Sequence, residues 1–249
     1  MTALRDRVRA AADAALADVA DLRQYWLDTQ TAWEIVDEAS SPDAGFAAEF
    51  FGTARFSSTP ERRQELSTRA DDYLQRYLAA AVVQQLYAIF DGYVLGLVRL
   101  WLLAHPRHLI RTGRGQQTRQ VSLAAVVNAP DRAAVLEEIV EREVRDVAYL
   151  SLKDQLETLR KLVSLGRPDD DERAALIELK ATRDLLVHGD GVVTADYLAK
   201  AGSLARFADG ERMQLPDVYL SASFDLVRGV IAAMIDAAVA KAGDAPARG

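Results

Sequence analysis

Apolar residues return every three or four positions over residues 3–39, at Leu4, Val8, Ala12, Leu16, Val19, Leu22 and Trp26. That spacing gathers them on one face of an amphipathic helix. Ser40-Ser41-Pro42 ends the pattern. Residues 42–58 have no helical period and carry Gly45, Gly52, Phe46, Phe50, Phe51 and Phe56, which predicts a loop or broken helix anchored by its aromatics. Thr59-Pro60-Glu61 then supplies a cap residue, a proline for the first turn and an acid for the helix N-terminus. The helix it opens is expected over 60–104, with Gly92 and Gly96 as candidate bends. Pro106 stops it, because the residue before proline disfavours helix.

Residues 111–120 are polar and glycine-containing, and Val121–Val127 is a short apolar piece. Pro130-Asp131 predicts another long helix over 131–165, with Val135, Leu136, Ile139, Val140, Val144, Val147 and Leu150 at helical period. Gly166-Arg167-Pro168 terminates it. Asp169-Asp170-Asp171 starts a helix running to His188, with Gly189 expected as its left-handed C-terminal residue. Thr194 caps a short helix over 193–201, Ala208-Asp209-Gly210 makes a turn between short extended runs, and 221–241 forms the last helix. The expected class is all-α: a helical bundle with an extended N-terminal helix and a hairpin-like excursion before the last helix. The expected divisions are an N-terminal extension at 1–58, a main helical domain at 59–242 and a disordered tail at 243–249.

Composition narrows the chemistry. The 249 residues include no cysteine, which excludes a disulfide framework, a thiolate nucleophile and a cysteine-ligated metal. The three histidines are His105, His108 and His188, so no metal and no cofactor is expected. Asp6, Asp13 and Asp18 interrupt the start of the chain, which is therefore read as cytoplasmic and not as a secretory leader. The most apolar stretch, 77–104, contains Gln84, Gln85, Asp91 and Arg99, and is read as a buried helix with no membrane partner. A net charge of −7 argues against a general polyanion binder. The charge is uneven, however: 92–130 has no acid and carries Arg99, Arg107, Arg111, Arg114 and Arg119. Arg107, Arg111 and Arg114 are candidate contacts to an RNA backbone, or else a solvated basic face.

The polar anchors of 178–198 (ELKATRDLLVHGDGVVTADYL) are Arg183, Asp184 and His188. Asp184 and His188 lie one helical turn apart, so the carboxylate is placed to fix the imidazole tautomer. An imidazole at a helix C-terminus can move protons, and a nearby guanidinium can neutralise a phosphorane. Those are the tools of metal-independent RNA cleavage by the ribose 2′-hydroxyl. On an ideal helix Arg183 points roughly 140° away from His188, so two copies across a two-fold axis would be needed to complete one cleft.

Arg183-Asp184-x-x-x-His188 resembles the R-x4-6-H signature of the HEPN superfamily, the higher-eukaryote and prokaryote nucleotide-binding helical bundles. Gly189-Asp-Gly191-Val-Val-x-x-x-Tyr197-Leu198 is similar to its downstream continuation, as is Gly210…Met213-x-Leu215…Tyr219 before an apolar helix. The resemblance spans about 70–240 and is specific at 183–198; the first 60 residues carry none of it. It implies a bundle that homodimerises with both motifs at the interface. It also implies a metal-independent endoribonuclease of a bacterial defence or toxin system, partnered by RNA and by an antitoxin or other defence protein. Arg183 would stabilise phosphate charge, His188 would transfer protons and Asp184 would orient His188. The family's extra polar residue on an earlier helix would be Asp91, with Gln84 or Gln85 as alternatives.

Plainer readings stand beside these. Asp184 and His188 could form a surface ion pair with Arg183 solvated. His105-Pro-Arg-His108 could be a solvent-facing helix cap, and Asp91 a partner of Arg99 or Arg145. Trp26, Trp33 and Trp101 read as core or interface residues. An inert HEPN-like nucleotide- or protein-binding module is the competing function.

Overall fold

The computed structural model describes residues 2–40, 60–111 and 123–244. The expectations for 42–58, for 112–120 and for the last five residues lie outside them. Among the described residues the protein is all-helical, with ten α-helices. Helix α1 is Thr2–Ser40. Helix α2, Pro60–Asp72, passes through a π turn at Tyr73–Leu78 into α3, Ala79–Ala104. Short α4 (Arg107–Arg111) and α5 (Leu123–Asn128) precede α6, Arg132–Ala148, and α7, Leu152–Val163. Helix α8 is Asp170–His188, α9 is Ala195–Ala201 and α10 is Asp217–Asp244.

The chain divides into two compact units. One draws on Met1–Ala17, Ala88–Ile177 and Leu226–Gly249, the other on Asp18–Tyr87 and Glu178–Asp225. The first unit buries Val8, Ala12, Phe90, Val94, Leu97, Val140, Leu159, Leu176, Ile231 and Met234. The second buries Val19, Trp26, Val82, Leu86, Leu179, Tyr197, Leu220 and Phe224, with the Trp26 and Phe224 rings stacked at 5.7 Å. The buried positions of α1 (Val8, Ala12, Ala15, Val19 and Trp26) keep the three-and-four spacing that predicted the helix. Helices Arg76–Ala104 and Asp217–Ala242 are long and apolar enough to cross a membrane by length and composition. Many of their apolar side chains, Leu86, Phe90, Val94, Leu97, Phe224, Val227 and Ile231 among them, are instead buried within the protein.

Three local expectations are corrected. The stretch 131–165 is two helices, not one. Ser151 accepts the backbone N–H of Asp154 and caps α7, while the buried Gln155 amide donates to the carbonyls of Ala148 and Leu150. That side chain satisfies carbonyls that a continuous helix would have bonded internally. The irregularity in the 60–104 helix falls at Tyr73–Leu78, and α3 runs unbroken past Gly92 and Gly96. The left-handed residues after α8 are Asp190 (φ 51°) and Gly191 (φ 74°), not Gly189. A Cβ on Gly189 would meet the Leu185 carbonyl oxygen at 3.1 Å, so any side chain there crowds the preceding turn.

Helix α8 begins with a reciprocal cap. The Asp169 carboxylate accepts the N–H of Glu172, and Glu172 accepts the N–H of Asp169. Beyond its C-terminus, Val192 bridges Arg212 in antiparallel fashion. Val193 donates to the Glu211 carbonyl at 2.8 Å and Met213 to that of Gly191 at 2.8 Å. The expected excursion is thus present as a single bridge, closed by Gly210 at φ 81°.

Candidate functional site

The last three turns of α8 carry the motif, and their packing is set by a residue that motif reading missed. Glu178 is only 4% exposed. One of its oxygens accepts Thr182 Oγ1 at 2.8 Å, Tyr197 OH at 3.0 Å and Arg206 at 3.3 Å; the other accepts Tyr219 OH at 2.9 Å. The Arg206 guanidinium lies 3.5 Å over the Tyr219 ring. One carboxylate therefore joins α8 to α9, to the 205–216 segment and to α10 within one unit. Tyr197 and Tyr219, read from sequence as parts of a downstream motif, are donors to this hub. The signal for Glu178 was its place between Leu176, Leu179 and Thr182 on the buried face, where an isolated charge would be costly.

Two turns on, Arg183 and Asp184 are joined and His188 stands apart. Arg183 donates to Asp184 Oδ1 at 2.9 Å, and Lys180 donates to Asp184 Oδ2 at 2.8 Å. Burial raises the Asp184 carboxyl, but the hydrogen bonds and charges of Lys180 and Arg183 outweigh it, and the net direction is down. Both cations lie over the buried Tyr87 ring, Lys180 Nζ at 5.8 Å and the Arg183 guanidinium carbon at 5.9 Å from its centroid. The expected Asp184–His188 bond is absent among the described residues. Lys180 reaches the same carboxylate from one turn upstream, and Arg183 reaches it from the neighbouring position. His188 is exposed at the end of α8. Just beyond it, Asp190 pairs with Arg212 at 3.3 Å and with Arg76 at 3.6 Å.

No protein-family model, curated protein or solved structure matches the chain.

The remaining sequence candidates divide by unit. Gln84 is half-buried and Gln85 exposed, and both belong to the unit that holds the motif. Asp91, half-buried on α3, belongs to the other unit. Arg99, one of its proposed partners, instead pairs with Glu141 and, at 3.9 Å, with Glu137. Arg107 is exposed on α4, the Arg111 side chain and all of Arg114 lie outside the described residues. His105 does not face solvent as a simple cap. Its ring lies 4.9 Å from that of Trp101, its Nε2 is buried, and burial together with the nearby His108 lowers its pKa. Among the described residues no group of three His, Asp or Glu could hold a metal ion.

Proposed function

We propose that the protein is a cytoplasmic, metal-independent endoribonuclease of the HEPN type, acting in a bacterial defence or toxin system. The carrying observation is the state of α8's last turns. His188 is exposed and makes no hydrogen bond or ion pair among the described residues. Five residues earlier, the Arg183 side chain keeps 34% of its surface exposed. One free imidazole and one partly open guanidinium are what 2′-hydroxyl attack on a phosphodiester requires. The 2′-oxygen forms a bond to phosphorus as His188 accepts its proton, the P–O5′ bond breaks, and the leaving 5′-oxygen takes a proton from the imidazolium so formed or from water. Arg183 offsets the charge on the equatorial oxygens of the phosphorane. DNA lacks the nucleophile, so discrimination for RNA is chemical. In a homodimer two such helix ends would share one cleft.

The inert binding-module reading draws support from one observation: Arg183 is already engaged by Asp184. A single experiment separates the two. Purified protein is incubated with total bacterial RNA and with tRNA in EDTA, beside His188→Ala. Cleavage by the wild type alone is expected, with unchanged circular dichroism. Equal cleavage by both proteins would remove His188 from the mechanism, and none by either would favour the binding module.

A further inference from the structure

We infer that Lys180 and Arg183 together form a binding site for a backbone phosphate of single-stranded RNA, and that Asp184 occupies this site in the free protein. The inference deepens the ribonuclease reading and rests on it for the source of the phosphate. Two cations converge on one carboxylate, one on each oxygen, so the trio carries one uncompensated positive charge. A phosphodiester offers the same pair of adjacent acceptor oxygens as a carboxylate, and both groups suit convergent N–H donors. The donors are ordered before any ligand arrives. The Tyr87 ring, only 4% exposed, lies beneath both, within the range of a cation–π attraction.

The trio is also reachable. Lys180, Arg183 and Asp184 keep 29%, 34% and 24% of their side-chain surface exposed. Surface ion pairs on helices add little to stability. Asp184 has a lowered pKa, so near neutral pH it leaves the cations by exchange with another anion and not by protonation. Once displaced, its carboxylate lies one turn from His188 on the same helix, where it can take the orienting role its spacing predicted.

The test is equilibrium binding of a short 2′-O-methyl RNA strand, which cannot be cleaved, to the full chain in EDTA. Fluorescence anisotropy is followed from about 50 to 200 mM NaCl, the range over which phosphate contacts show themselves. Lys180→Gln is expected to weaken binding and to lower the slope of log K against log salt by about 0.7, the loss of one single-strand phosphate contact. Asp184→Asn is expected to tighten binding several-fold, because it removes the competing anion while sparing both cations. A merely structural ion network would give the opposite pattern: both variants lose thermal stability and neither changes affinity or slope. That result overturns the site, as does absence of binding by the wild type. If Asp184→Asn fails to fold, the Lys180→Gln slope decides alone. Binding that responds to Lys180 without any cleavage of unmodified RNA would sink the nuclease reading and leave this site standing. Cleavage that needs His188, with a slope indifferent to Lys180, would do the reverse.

Discussion

Tyr219 donates its hydroxyl to Glu178 at 2.9 Å across 41 residues of sequence, and the Arg206 guanidinium carbon lies 3.5 Å from the centroid of the same tyrosine ring. The carboxylate thus holds the end of α8 that leads to Arg183 and His188. Breaking a buried charge network strands the partners that remain. Glu178→Ala leaves Arg206 and three hydroxyls without their acceptor and is expected to cost about 3 kcal/mol or more. Tyr219→Phe removes one bond and is expected to cost about 1 kcal/mol. Urea unfolding of both variants checks the ranking. Equal, small losses would show that the network does not hold α8.

The same network sets a limit at high pH. Burial raises Tyr219, the Glu178 charge raises it further, and Arg206 opposes without prevailing. Tyr197 is raised by burial and then by Glu178, and Tyr93, in the other unit, by burial alone. A tyrosine whose folded pKa exceeds its unfolded value of about 10 contributes fully below that pH and loses its contribution as pH rises through the folded value. Melting temperature is therefore expected to fall steeply above about pH 10. Tyr219→Phe should be less stable at neutral pH yet show a shallower alkaline decline. An identical decline in the variant would remove Tyr219 from the effect.

Two glycines beyond His188 serve different ends, and substitution should separate them. Gly191 sits at φ 74°, and a Cβ there would meet its nearest atom, Leu186 Cδ2, at an ordinary 3.7 Å. Gly191→Ala is expected to cost about 1–2 kcal/mol, the penalty of a left-handed conformation alone. At Gly189 the dihedral is unremarkable for any residue, but a Cβ would press the Leu185 carbonyl at 3.1 Å and Leu185 Cδ1 at 3.2 Å. Leu185 is a buried residue, so Gly189→Ala should shift its side chain. Chemical shifts of the Leu185 methyls are expected to move in Gly189→Ala and to hold still in Gly191→Ala.

Periodicity and punctuation made most of the helices legible. The Thr194 cap, the stop before Pro106 and the acid run before α8 each act within a few residues, and the sequence states them openly. The break between α6 and α7 was equally local, written as Ser151-x-x-Asp154, but the apolar period running through Leu150 masked it. What sequence spacing could not deliver was the choice among competing partners. Asp184 has His188 one turn downstream and Lys180 one turn upstream, and spacing treats them alike. The structure puts Asp184 on Lys180 and Arg183 and leaves the imidazole at the helix end exposed. Glu178 was harder still, because three of its four donors, Tyr197, Arg206 and Tyr219, come from 19 to 41 residues away.

Arg183 and His188 are five residues apart on one helix, and neither reaches the other through a hydrogen bond or shared ion pair among the described residues. Five helical steps turn the chain by roughly 500°, which leaves the two side chains about 140° apart. A cleft that uses both is therefore expected to take Arg183 from one protomer and His188 from its partner. Mixing inactive Arg183→Ala with inactive His188→Ala tests this directly. Half of the reassorted dimers are mixed, and each mixed dimer has one intact site of two, so about a quarter of wild-type cleavage should return. The measurement is RNA cleavage in EDTA after subunit exchange, with each variant alone as control. If the mixture stays as inactive as its components, the two residues act within one protomer and the two-fold cleft is wrong.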